Sequence, residues 1–157
     1  MNTLREWLGH ESLVATLAEG VITFCSAALK VAVTPKTIAF ADEFAKRYGV
    51  SPAYLGYTSY DMIHVIAEAI KRAGSTNPDK LVDALEKTDY IGTIGRKQFY
   101  GRNDPFTHSL KYGPRLVTGV MIQWQNANQE TIWPTDKANA KVKFPSFIKL
   151  TKDPSSR

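Results

Sequence analysis

Hydrophobic and polar positions follow two different periods along this chain, and the change of period divides it. Leucines at positions 4, 8, 13 and 17 give a weak helical signal at the start. The β-branched run "EGVITF", residues 19–24, reads as a short strand. Residues 34–49, "TPKTIAFADEFAKRYG", carry the punctuation of a helix: Thr34 can cap it, Pro35 suits the first helical position and Gly49 can close it. Its apolar stripe is Ile38, Phe40, Ala41, Phe44, Ala45 and Tyr48. A longer helix follows, ended by Gly74. Ser59, Ile63, Ile66, Ile70 and Ala73 recur at helical spacing and predict its buried face, with Asp61, Glu68, Lys71 and Arg72 mostly on the wet side. A third helix opens on Asn77 and Pro78 and presents Leu81, Val82 and Leu85.

After Tyr90 the period shortens. "GTIGRKQFY" alternates and carries two glycines, which predicts a strand with a bend. The runs 116–125 and 129–133, separated by "NAN", predict a hairpin without the Asn-Gly turn signal. A polar, proline-marked tail follows, and Phe144 and Phe147 are expected to staple it to the body. Residues 150–157 are expected to form a flexible tail. There is no internal repeat and no low-complexity tract, so residues 1–157 read as one unit.

Composition narrows the classes. The apolar share is 43% and the charged share 22%, both ordinary for a globular chain. The net charge of +5 would suit an anionic partner. The basic residues are dispersed, however, and no nucleic-acid motif occurs, so no nucleic-acid partner is expected. The single cysteine, Cys25, lies in the run "GVITFCSAAL" and reads as a small buried hydrophobe. No apolar run is long enough to span a membrane as a helix. The first residues, "MNTLREWLGHES", lack the basic and apolar regions of an export leader.

The candidates for chemistry are few. His10, His64 and His108 stand far apart, with no His-x-x-x-His or Cys-x-x-Cys pair, so no metal site is expected. Nothing local marks Cys25 as an activated nucleophile. "GTIGRKQF" precedes a strand-like segment and not a helix, so it is no dinucleotide fingerprint, and no cofactor is implied. Glu43, Glu68 and Glu86 read as solvated helical faces, and no catalytic residue is assigned. The aromatics remain. Tyr54, Tyr57 and Tyr60 approach a helix N-terminus, where rings can either pack into a core or wall the apolar part of a ligand. Composition leaves both readings open.

The ordered set of segments from "TPKTIAFADEFAKRYG" through "YGVSPAYLGYTSYD", "RAGS" and "GTIGRKQF" resembles the C-terminal third of a type I periplasmic solute-binding protein of bacterial ABC importers. The branch resembled is the one that binds leucine, isoleucine and valine. "VMIQWQNANQETIWP" is similar to that family's closing hairpin, "KFPSF" to its tail and "LAEGVITF" to the strand before the first of these helices, so the resemblance covers roughly residues 17–148.

The resemblance implies an α/β fold: helices packed on a partial sheet with a C-terminal hairpin, part of a two-lobed protein that holds its ligand between the lobes. It implies no enzymatic activity. The implied partners are an amino acid, an ABC permease in the membrane and, for this chain by itself, other copies of it. The implied location is the periplasm. Carried over by position, Tyr57 would face the ligand's apolar side chain, Tyr54 is a second candidate, and Tyr60 would pack inward at the helix start. Readings left beside this one are a scaffold that binds nothing, a binder of a related amide or aromatic acid, and, remotely, an enzyme using Cys25.

Overall fold

The structure is a computed structural model and describes residues 18–27, 31–126 and 128–146. The leucine-patterned segment 4–17, His10, Phe147 and the 150–157 tail lie outside those residues. The elements run β1 (Ile22–Cys25), α1 (Pro35–Tyr48), α2 (Tyr54–Ala73), α3 (Pro78–Glu86), β2 (Tyr90–Ile91), β3 (Arg96–Lys97), β4 (Val120–Gln125) and β5 (Asn128–Trp133).

The helices begin and end where their local chemistry directs. At α1 the Thr34 hydroxyl accepts from Lys36 N at 3.2 Å, and Thr37 Oγ1 accepts from Thr34 N at 2.8 Å. The two threonines thus satisfy donors that a helix start leaves open, in the manner of a capping box. At α3 the Asn77 side chain accepts from Asp79 N and Lys80 N, at 3.1 and 3.3 Å. Gly49 and Gly74 close α1 and α2 in the left-handed conformation. Of the described helices, α2 alone starts without a side-chain cap, on Ala53.

The strands form a three-stranded antiparallel sheet in the order β1-β4-β5 and a two-stranded ladder, β2-β3. The expected hairpin is β4-β5, with Gln125 opposite Asn128 at its turn. The expected strand of 19–24 is β1, starting a few residues further on, and it pairs with the far side of β4. Among the described residues two apolar clusters result. One gathers Ala27, Ala41, Tyr57, Ile94 and Val117, with Phe40 and Leu110 against it. The other gathers Val31, Val120 and Ile122, with Cys25 and Val33 against it. Cys25 is half-buried there, and burial pushes its thiol up from the ordinary range.

Two expectations about packing are corrected. The buried face of α2 is not the isoleucine stripe. It is the row Tyr57, Asp61, Val65 and Ala69, while Ile63 is 68% and Ile66 47% exposed. Asp61, expected on the wet side, is fully buried. The tail, too, is held differently from expectation. Phe144 is exposed. Two buried glutamines of β4 grip the backbone instead: Gln123 Nε2 donates to Lys143 O, its Oε1 accepts from Lys143 N, and Gln125 Nε2 donates to Lys141 O. A main chain with no strand partner of its own is satisfied by side-chain amides, each both donor and acceptor.

Candidate functional site

The first turns of α2 carry the three tyrosines, and helical geometry sends them to different surroundings. Tyr54 stands exposed. Tyr57, three residues on, points into the first apolar cluster and is only 1% exposed. Its ring lies 5.0 Å from that of Phe40, and its hydroxyl has no hydrogen-bond partner among the described residues. Burial is the main reason its phenol is pushed above the ordinary range. Tyr60 does not pack fully inward. It stays 41% exposed, with its ring against Phe40 and His64, 4.6 Å from each.

These rings belong to a longer series. Tyr48 meets Phe44, Phe44 meets Phe40, Phe40 meets Tyr60, Tyr60 meets His64, and His64 stacks on Tyr90 at 11°. The Lys36 ammonium sits 4.6 Å from the Tyr90 ring centre. Between α1 and the start of α2 this series walls an open groove of about 820 Å³, lined by Phe40, Phe44, Tyr48 and Tyr60 with Lys36 and Arg47 at its edge. A second, almost wholly apolar hollow of about 290 Å³ lies between α2 and α3, lined by Met62, Ile66, Val82, Leu85 and Phe99. Glu86 and His108 stand at its rim, 2.8 Å apart, and that hydrogen bond is the main cause holding the Glu86 carboxyl below its usual range.

Beneath the groove lies a polar assembly that sequence reasoning missed. The Asp61 carboxylate accepts from Thr93 N at 2.8 and 2.9 Å and from Ile94 N at 3.4 Å, and it pairs with the Lys97 ammonium. Both side chains are shut away from solvent. Burial drives the Lys97 ammonium below the usual lysine range, while Asp61 pulls it back up. The turn that carries these amides is also held from the other side. Thr34 Oγ1 donates to Gly92 O at 2.7 Å, Lys36 Nζ to Ile91 O at 2.7 Å and Thr37 Oγ1 to Thr93 O at 2.6 Å. Thr93 Oγ1 in turn donates to Tyr57 O at 3.3 Å.

The glycines of this turn are steric requirements. A Cβ at Gly92 would fall on the Asp61 carboxylate. Gly95 has φ +129°, and a Cβ there would lie 2.7 Å from Leu116 O. The Tyr-Asp and Gly-x-x-Gly segments, some thirty residues apart, therefore meet as one unit. The only sequence signal for it was the four-residue spacing of Tyr57, Asp61, Val65 and Ala69, which places a carboxylate inside an otherwise buried row.

The other candidates stay apart. His64 is an exposed residue between two rings, and Glu43 pairs with Arg47 four residues away at 2.6 Å. Among the described residues no cluster of His, Cys, Asp and Glu could hold a metal, and no helix is long and apolar enough to cross a membrane.

Residues 4–112 match the family model described as "Periplasmic binding protein". The chain belongs to the periplasmic binding protein family. It is 23% identical over 150 residues to the Leu/Ile/Val-binding protein homolog 8 of Brucella melitensis, a match that covers 92% of this chain and 34% of that protein. It therefore spans about a third of the length of the curated relatives it matches. Solved structures that share the fold include two binding proteins. The LivJ substrate-binding protein of a Streptococcus pneumoniae branched-chain amino acid transporter, in complex with isoleucine, superposes with a TM-score of 0.62 at 26% identity, over 77% of this chain and 32% of that one. The leucine-binding protein LivK of Thermotoga maritima gives a TM-score of 0.58 at 25% identity, over 73% and 30%. The family and these relatives are binding proteins and not enzymes.

Proposed function

We propose that this chain forms part of the substrate-binding component of an ABC importer for amino acids, with branched-chain amino acids as the ligand class. The observation that carries the reading is that its relatives include a leucine-binding protein and one in complex with isoleucine, with the same fold. In this reading the ligand lies between two lobes in the periplasm and favours the closed arrangement, which a membrane permease then recognises. The start of α2 faces the ligand. Tyr54 offers an exposed ring there, while Tyr57 stands behind it, buried against Phe40 and the first apolar cluster.

The test is a titration of the chain with leucine, isoleucine and valine, followed by NMR, beside an aromatic acid and a simple amide. Shifts at residues 54–61 with the three branched amino acids and not with the other two are expected. A response to the aromatic acid or the amide alone would move the ligand class. A second reading, a scaffold that binds nothing, is favoured by the burial of Tyr57, and it is the result if none of the five compounds shifts any signal.

A further inference from the structure

Buried ion pairs are seldom an efficient way to stabilise a fold, because desolvating both charges offsets much of their attraction. Their attested use is to specify one arrangement over others. The Asp61–Lys97 pair is placed for such a role. It does not join two helices or two strands directly. It fastens a turn: Asp61 holds the amides of Thr93 and Ile94, and Lys97 lies just past that turn, in β3. The opposite side of the turn gives three consecutive carbonyls, those of Ile91, Gly92 and Thr93, to the first residues of α1 and its cap. Ile94 packs in the same cluster as Tyr57, and the Thr93 hydroxyl reaches the Tyr57 carbonyl. The seat of the Tyr57 ring is thus defined on one side by Phe40 of α1 and on the other by a turn that Asp61 and Lys97 clamp.

We propose that Asp61 and Lys97 are a positioning pair: by clamping the turn at residues 92–95 between the N-terminal ends of α1 and α2, they set where the Tyr57 ring sits and so which face α2 offers a ligand. The last clause rests on the binding function proposed above; the seating of the ring does not.

The test uses the whole chain. Lys97→Met removes the ammonium at similar length, and Thr93→Val removes the hydroxyl link to Tyr57 while leaving the ion pair. The Tyr57 ring signal, assigned by its loss in Tyr57→Phe, is followed together with amide exchange at Thr93 and Ile94. The methyl signals of Val120 and Ile122, in the other cluster, report on the rest of the core. In Lys97→Met, exchange of both amides should quicken by about tenfold or more as the turn opens locally. The Tyr57 signal should move while the Val120 and Ile122 methyls hold. Thr93→Val should move Tyr57 less. An unmoved Tyr57 ring in Lys97→Met overturns the proposal, as does equal displacement of both clusters, which marks general loosening. If Lys97→Met does not fold, Asp61→Asn with Lys97→Met, which removes the pair without stranding a charge, decides by the same criterion. Leucine added to each sample well above the millimolar range reads the binding function separately: an unresponsive wild-type chain at that concentration sinks that function and leaves the outcome for the ring intact.

Discussion

Asp61 shows how much one residue can weigh when it leaves water. A carboxylate in the open would matter little to stability, but here it neutralises a buried ammonium and satisfies two buried amides. Asp61→Asn keeps the shape and one acceptor but leaves Lys97 without its counter-charge. It should cost roughly 3–5 kcal/mol, the scale for breaking one side of a buried pair, measured by urea unfolding. Asp61→Asn with Lys97→Met should cost less than the sum of the two single changes, because no charge is then stranded. Additive losses would mean that the two do not act as a pair. The spacing that puts Asp61 in line with Tyr57, Val65 and Ala69 was there to read, but its role was not. A polar residue on a helix reads as solvated unless its partner is known, and Lys97 lies thirty-six residues away. Cys25 was more legible, since its apolar neighbours forecast its packing beside Val31, Val120 and Ile122. With its thiol pushed up by burial, it should react with a thiol reagent more slowly in the folded chain than in an unfolded control. Equal rates would mean that this packing does not shield it.

At the scale of elements, what could be read was whatever chemistry is local. Thr34, Pro35, Gly49, Asn77 and Pro78 act within a few residues of themselves, and α1 and α3 begin, and α1 ends, where they direct. The hairpin was legible for the same reason, as two β-branched runs a few residues apart. Which face of a helix is buried is not local. The isoleucines of α2 form a better apolar stripe than Tyr57, Asp61, Val65 and Ala69, yet the latter row is buried, with Tyr57 and Asp61 on the 92–95 turn, while Ile63 and Ile66 stay exposed. Nor could the tail's anchorage be read, because it depends on two glutamines of β4 turned inward. Gln123→Leu should free the backbone at Lys143, since it removes both a donor and an acceptor to that residue. Limited proteolysis should then cut at Lys143 sooner than in the wild type. Unchanged cutting would show that Gln123 does not hold the tail. At α1, Thr34→Ala loses the cap and the bond to Gly92 O, and about 1 kcal/mol or somewhat more of stability should go with them, read from the same urea unfolding.

For the whole molecule, the decisive quantity is how much apolar surface this chain leaves open. The fold class was legible from the order of segments and agrees with the superposed structures, but exposure could not be read without coordinates. Ile63 and Ile66 on α2 and Phe24 on β1 are large apolar side chains in contact with water. β1 lies at one edge of its sheet and β5 at the other, and among the described residues neither edge pairs with a further strand, although Asn139 and Ala140 bond to Thr131 N and O of β5. The groove beside Tyr60 is likewise open along its length, whereas a small-molecule site usually buries about 70–90% of its ligand. Leucine should accordingly bind this chain alone no tighter than millimolar, and micromolar binding in a calorimeter would refute that. Open strand edges and contiguous apolar patches also favour contact between copies. The chain by itself should therefore associate as its concentration rises. Helix hydrogen bonds close within a few residues, while strand bonds need a distant partner, so helical signal should outlast sheet signal on heating. Size-exclusion chromatography with light scattering over a range of concentrations, beside a thermal melt followed by circular dichroism, measures both. A monomer at every concentration with one sharp transition would show that the exposed isoleucines and the open edges cost this chain nothing, and that its two small clusters suffice as a core.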